Sequence, residues 1–369
     1  MQQKRTLIVY QHLPHYRLGV FRLLDNSPKL EVTFAAGKEF RDRSIPTIPF
    51  DAFHRVVPLK DLWIGPFLWQ RRLLSLVLRG RFDYVVFSGD PHFISTWVAA
   101  PLARLVGSRT FHWTIGWHRP DSTRLKSLTR MIFFRLVDRV LLYGDDAYKI
   151  GVAAGFPANR LTVIGNSMPE EPPNTSNLPD ETSDLQSLLP GADMKLVGAV
   201  VRVNSEKRLD MLIEAVSLLR DRGFNVGVVL TEGPATGELQ SQARRLRVPL
   251  FLLGPVYRKE GLSQIYERMS VTVIPERAGL SVMQSLSRGV PVITADDPYK
   301  QVPEFRAVRQ GVTGFLYRTG SVESLSSAII DCLELLDEHG SEVAQACRDE
   351  IAKNWSPERH AANILSALG

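Results

Sequence analysis

The sequence predicts an α/β protein made of two doubly wound domains facing a cleft. Short runs rich in Val, Ile and Leu alternate with longer segments of helical period along nearly the whole chain, the pattern of parallel sheets covered by helices. The alternation breaks once, at MPEEPPNTSNLPDETSD (168–184), where four prolines and several acids leave no apolar period. It then restarts, and 369 residues leave room for two to three separate cores.

TLIVY (6–10) reads as the first strand, followed by a QHLPHYR loop and a helix from GVFRLLDN. LEVTFAAG (30–37), FDYVVFSG (82–89), SRTFHWTIG (108–116), DRVLLYG (138–144) and LTVIGNS (161–167) read as further strands, with TWVAAPLARLVG and RLKSLTRMIFFRLV as helices between them. Residues 59–82, LKDLWIGPFLWQRRLLSLVLRGRF, read as the crossover helix that feeds FDYVVF. Trp63, Phe67 and Trp69 beside Arg71, Arg72, Arg79 and Arg81 also give that helix the composition of an interfacial membrane segment. Beyond the Pro-rich stretch, KLVGAVV (195–201), NVGVVLTEG (225–233), PLFLLG (249–254), VTVI (271–274), PVITA (291–295) and TGFLYR (313–318) read as strands. RLDMLIEAVSLLRDRG, ELQSQARRLR, LSQIYERM, SVMQSLSRG and VESLSSAIIDCLELLDEHG read as the helices of this half, and SPERHAANILSAL opens on a Ser-Pro-Glu cap as a last helix. The expected domains are 1–167, a linker at 168–192, a second domain at 193–352, and a helix at 353–369 returning to the first.

Composition narrows the function classes. Cys332 and Cys347 form no CxxC pair, so neither a disulfide framework nor a zinc site is expected. The chain enters a strand within six residues of Met1, and no apolar run approaches 18 residues. Together these give an expectation of a cytoplasmic protein, and the basic first half adds the inner face of the cell membrane as its place. Residues 1–166 carry 24 Lys and Arg against 12 Asp and Glu, whereas residues 167–369 carry 21 against 27. The basic half suits an anionic partner such as a lipid surface, a phosphorylated substrate or nucleic acid, or is a set of solvated arginines on helix surfaces. No GxSxG elbow is present and no GxGxxG follows the first strand, which removes serine hydrolases and dinucleotide oxidoreductases. His12 and His15 flank a proline in a loop, a poor metal site, and the Asp145–Asp146 and Asp296–Asp297 pairs read as solvated turn acids.

The chemistry concentrates in the second half. In PERAGLSVMQSLSRGVPVI (275–293), the chain leaves a strand through Pro-Glu and enters a helix after Gly279. Gly279, Leu280 and Ser281 thereby offer backbone N–H groups to an anion, while Glu276 and Gln284 are spaced to face one ligand. VVRVNSEKRLD places Arg202 at a strand end and Lys207 just before a helix, a pair suited to a diphosphate: Arg binds in a bidentate fork and Lys acts as a point charge. Gly233 and Gly254 each follow a strand directly and expose backbone to a base or ribose, or serve only as turns.

With these residues in view, 195–330 resembles the donor-binding domain of the group 1 (family 4) glycosyltransferases, whose two Rossmann-like domains form the GT-B fold. Arg202 and Lys207 match the family's diphosphate-gripping Arg and Lys. ERAGLSVMQSLSRGVPV is similar to its E-x7-E segment, with Glu276 at the first Glu and Gln284 at the second. Gln284 keeps an acceptor oxygen for the ribose but not the charge. The resemblance is looser in the first half. YQHLPHYRLGVF is similar to a P-x-Y-R-x-x-x-F start, marking His15, Tyr16 and Arg17 as the acceptor-side loop, without the Gly-Gly found in many relatives. FHWTIGWHRP stands where the family has a functional histidine, which is His118 or its rival His112.

The resemblance implies a retaining transferase of a hexosyl or related sugar. It would move the sugar from a nucleotide-diphospho-sugar to a saccharide or lipid-linked acceptor in bacterial surface glycan assembly. It implies catalytic Glu276 and His118, no metal or other cofactor, no nucleic acid, and peripheral membrane contact through the basic half. A sugar-nucleotide 2-epimerase and a non-catalytic binding subunit share the same shape.

Overall fold

The computed structural model describes residues 3–39, 41, 46–168, 185, 188–231, 233, 235–254, 256 and 259–369. It contains two compact units, Met1–Glu170 with Ser356–Gly369, and Glu171–Trp355. The linker expected at 168–192 lies largely outside the described residues.

The first unit is a seven-stranded parallel sheet with strands β1 (Lys4–Val9), β2 (Leu30–Ala36), β3 (Val56–Pro58), β6 (Tyr84–Ser88), β7 (Arg109–Thr114), β8 (Arg139–Leu142) and β9 (Leu161–Val163). Their order is β3-β2-β1-β6-β7-β8-β9. β1 is central, and beyond its exposed Lys4 and Arg5 it is buried on both faces, which is why Leu7, Ile8 and Val9 are all apolar. Leu7 and Val9 enter one core, with α2 (Leu73–Gly80), α3 (Ile94–Leu105), α4 (Arg124–Arg135) and α5 (Asp145–Ala153). Ile8 and Tyr10 enter the other, with α1 (Leu18–Asp25) and α11 (Pro357–Leu368). α11 joins this core through Ala361, Ile364, Ala367 and Leu368, and each fully buried Leu or Ile contributes about 1.5–3 kcal/mol. That is how the last helix belongs to the first unit.

One expectation is overturned. Residues 59–82 are not one helix: β4 (Lys60–Ile64) and β5 (Phe67–Arg71) form an antiparallel hairpin, and only α2 is helical. The Gly65-Pro66 turn, with Gly65 at φ 55°, breaks the helix, and the surrounding residues alternate between faces. Trp63, Phe67, Trp69 and Arg71 thus sit on a hairpin, and the interfacial helix reading of this segment falls.

The second unit is a six-stranded parallel sheet ordered β12-β11-β10-β13-β14-β15. Its strands are β10 (Lys195–Ala199), β11 (Val226–Leu230), β12 (Leu250–Leu252), β13 (Met269–Val273), β14 (Val292–Ala295) and β15 (Gly314–Tyr317). The helices are α6 (Leu209–Asp221), α7 (Thr236–Leu246), α8 (Lys259–Arg268), α9 (Leu280–Ser287) and the long α10 (Val322–Asn354), which kinks at His339 and packs on α6 and α9. Both cysteines are free and buried along α10, and burial pushes the Cys347 thiol up to about 12. Among the described residues no helix is long and apolar enough to cross a membrane.

Candidate donor site of the second unit

In a doubly wound sheet the strand order reverses at one point, and ligands bind beyond the carboxyl ends of the strands there. In the second unit that point lies between β10 and β13. The loop after β10 carries Arg202 and Lys207, and the loop after β13 carries Glu276 and Gly279. A backbone hydrogen bond from Glu276 N–H to Lys207 C=O (3.2 Å) stitches the two loops together.

Lys207 Nζ donates to the Arg277 carbonyl at 2.7 Å. Burial, reinforced by the Arg277 charge, lowers its pKa. Arg202 is exposed and has no side-chain partner among the described residues, so its fork is open to a ligand. Gly279 caps α9 without a side-chain hydrogen bond, and no acidic residue occupies the first turn. The N–H groups of Leu280 and Ser281 therefore stay available to an anion. Gln284, on α9, accepts a 3.5 Å hydrogen bond from Tyr266 Oη.

The two strand-end glycines differ. A Cβ on Gly233 would lie 2.2 Å from the Val203 carbonyl oxygen, so this glycine lets the β11 loop pack against the loop that carries Arg202. Gly254 instead takes a left-handed φ of 71° with open space where a side chain would be.

Sequence reasoning missed Lys300 and Gln301, which follow β14. Lys300 Nζ pairs with Glu276 Oε1 at 3.0 Å, and its carbonyl accepts from Arg277 N–H at 3.1 Å. Gln301 is buried and brackets Glu276: its Oε1 accepts from Ala278 N–H (2.9 Å), and its Nε2 donates to Thr294 Oγ1 (2.9 Å) and towards the Pro275 carbonyl (3.3 Å). The signal that finds both residues is β14 lying beside β13, a fact of strand order that local periodicity does not carry.

In the first unit, Arg17 is buried rather than presented to solvent. Its guanidinium donates to Asn166 Oδ1 and lies over the Tyr143 and Trp113 rings at 4.9 and 5.2 Å. His15 and Tyr16 are half-buried beside it. Of the two candidate histidines, His112 lies within β7, stacked on Phe133 at 4.3 Å, with Nε2 3.2 Å from the Phe133 carbonyl. Burial lowers its pKa to about 3. His118 lies past the carboxyl end of β7, in a loop tied down by Arg130, which donates to the Gly116 carbonyl (2.7 Å) and pairs with Asp121 (3.0 Å). His112 is thus a core group, whereas His118 is half-buried in the loop that follows β7.

His112 also sets a pH prediction. Its folded pKa is depressed, so the unfolded chain binds the extra proton between about pH 6.5 and 3, and stability falls as pH drops through that window. Buried His12, held down to about 4, acts in the same direction. Denaturant melts at pH 7 and 4.5 are expected to show the loss, and His112→Leu to reduce it.

The acid pairs have structural roles. Asp145 and Asp146 occupy the first turn of α5, Asp296 accepts from Thr319, and Asp297 accepts from Tyr299 N–H. Among the described residues no group of three or more His, Cys, Asp or Glu is placed to hold a metal ion.

Residues 194–335 match the family model for glycosyl transferases group 1. No curated protein matches the chain by sequence. Among solved structures, Anabaena Alr3699/HepE in complex with UDP is similar at TM-score 0.74 and 16% identity, covering 100% of this chain and 99% of that one. A glycosyltransferase from Rickettsia africae ESF-5 is similar at TM-score 0.74 and 13% identity, covering 100% and 98%. A Listeria monocytogenes protein described as a UDP-N-acetylglucosamine 2-epimerase is similar at TM-score 0.59 and 15% identity, covering 100% and 96%. Identities this low carry the fold alone. The two Rossmann-like units thus have the GT-B fold, and residues 194–335 are similar to the group 1 glycosyl transferases.

Proposed function

We propose that the protein is a retaining glycosyltransferase that moves a hexose or related sugar from a nucleotide-diphospho-sugar to a saccharide or lipid-linked acceptor in bacterial surface glycan assembly. The observation that carries this reading is the meeting of Lys207, Glu276 and the uncapped α9 N-terminus at the switch point of the second sheet, with Arg202 on the same loop as Lys207. Departure of the nucleoside diphosphate builds negative charge on its phosphates, and Arg202, Lys207 and the α9 N–H groups are the preorganised groups to stabilise it. Glu276 orients sugar hydroxyls and favours the positive charge that develops on the ring. Gln284, with the backbone at Gly233 and Gly254, serves the nucleoside. His118 acts on the donor sugar or a phosphate near the acceptor, and the loop at His15 and Tyr16 faces the acceptor. The reaction as proposed needs no metal or other cofactor and involves no nucleic acid. The enzyme works in the cytoplasm, with its basic half at the inner face of the membrane.

Thermal melts with UDP, GDP, dTDP and ADP test the donor site. One nucleotide is expected to stabilise the protein selectively, by about 2.7 kcal/mol at a hundredfold excess over Kd, and Arg202→Ala to abolish the shift. No shift with any of the four would favour a non-catalytic binding subunit. The fold shared with the Listeria protein keeps a 2-epimerase as the second reading. Formation of an epimer from a nucleotide-sugar without acceptor would establish it.

A further inference from the structure

The first unit carries an open concavity of about 490 Å³ lined by Lys38, Pro58, Leu59, Lys60, Arg71 and Arg72. Four of the six are cations. All four are exposed, and none has an ion-pair or side-chain hydrogen-bond partner among the described residues. Two acids adjoin these cations in sequence: Glu39 follows Lys38, and Asp61 follows Lys60 but falls on the other face of its strand and accepts from Gln70 Nε2 at 3.1 Å.

The local structure keeps these charges together at a cost. Lys60 stands directly opposite Arg71 in the hairpin register, and like charges at that position destabilise a strand pair. Arg72 adopts a left-handed backbone (φ 77°, ψ −16°) that a residue with a side chain avoids, and strain of this kind gathers where ligands bind. It precedes α2, which has neither a capping side chain nor an acid in its first turn. An anion seated here relieves the repulsion and meets the positive end of the helix.

The rest of the hairpin shows what the anion is attached to. Outward from Lys60 and Arg71, the same face continues through Leu62 to Ile64 and Phe67, which are 41%, 68% and 45% exposed. At ~3.4 Å per residue, the apolar tip lies roughly 13 Å from the cations. Cations at the base and hydrocarbon at the tip complement an amphiphile with an anionic head. A second copy of this chain would set cation against cation.

We propose that this concavity binds a phosphate or diphosphate ester carried on a hydrocarbon chain. Lys38, Lys60, Arg71 and Arg72 hold the phosphate, and Leu62, Ile64 and Phe67 receive the first part of the chain. The proposal rests on the transferase reading only in naming the amphiphile's use, since a lipid-linked diphosphate is one form of acceptor. An anionic phospholipid headgroup offers the same chemistry.

Calorimetric titration of the full chain with farnesyl diphosphate, inorganic diphosphate and farnesol tests it. Farnesyl diphosphate should bind at least tenfold tighter than either of the others, and Lys60→Gln/Arg71→Gln should weaken it tenfold or more. Each titration is made in the Arg202→Ala/Lys207→Ala background, which removes the proposed donor diphosphate site, so that binding there is not counted. The site then stands even if no nucleotide binds the second unit, so failure of the donor reading is seen separately. Arg72→Gly should raise the melting temperature while weakening binding, an outcome that misfolding cannot produce. Cosedimentation with phosphatidylglycerol and phosphatidylcholine vesicles separates the sources: binding to the anionic vesicles alone, lost in Lys60→Gln/Arg71→Gln without any farnesyl diphosphate binding, assigns the site to the headgroup. Unchanged farnesyl diphosphate affinity in Lys60→Gln/Arg71→Gln, or equal affinity for farnesol or inorganic diphosphate, overturns the proposal.

Discussion

Replacing Arg202 with alanine is expected to lower kcat/KM by about 10²–10³-fold and leave the melting temperature unchanged. The two halves of this expectation have separate grounds. Arg202 is exposed and without a side-chain partner among the described residues, so its loss removes nothing that holds the fold, and such surface changes stay within about ±0.5 kcal/mol. In the proposed reaction, however, the leaving diphosphate gains charge, and loss of one preorganised donor costs about 2.7–4 kcal/mol of barrier. Lys207→Ala should show a similar kinetic loss with some destabilisation, because Lys207 Nζ also ties down the Arg277 carbonyl. The two losses should not add in the double variant, since both residues are proposed to serve one diphosphate. Steady-state kinetics with parallel melts check all three variants. A folded Arg202→Ala protein turning over near the wild-type rate would remove this residue from the diphosphate site.

What the sequence made legible follows a physical line. The α/β class and the two doubly wound sheets were readable because buried parallel strands are nearly continuous apolar runs, and TLIVY, VTVI and LVGAVV are of that kind. Arg202, Lys207, Glu276 and Gly279 stood out because each follows a strand at a short, fixed distance. Lys300 and Gln301 did not, because their part depends on β14 lying beside β13. Residues 59–82 read as a helix because Trp, Leu and Arg in succession satisfy a helical period and a two-residue alternation alike, and only the Gly65-Pro66 step separates the two. Arg17 looked like a loop cation because nothing local shows that Trp113 and Tyr143, about a hundred residues away, enclose it.

The second large effect is expected at Gln301. Gln301→Leu should destabilise the second unit by about 2–4 kcal/mol and lower kcat, although Gln301 touches no proposed substrate atom. Its side chain satisfies Ala278 N–H and bonds Thr294 Oγ1 and the Pro275 carbonyl, and an unsatisfied buried polar group costs about 1–3 kcal/mol. Leucine fills similar space and leaves these groups without that partner. The kinetic part follows from position: Pro275 and Ala278 flank Glu276, so losing the brace frees the carboxylate to wander, and small misplacements of reacting groups are costly. Lys300→Met supplies the contrast. It breaks the 3.0 Å pair with Glu276 but leaves the brace intact, and Lys300 is substantially exposed, so stability should change by less than about 1 kcal/mol. If Glu276 is held mainly by Gln301, kcat falls more in Gln301→Leu than in Lys300→Met when both are assayed well below their melting temperatures. The reverse ranking would show that the ion pair, rather than the buried amide, sets the carboxylate.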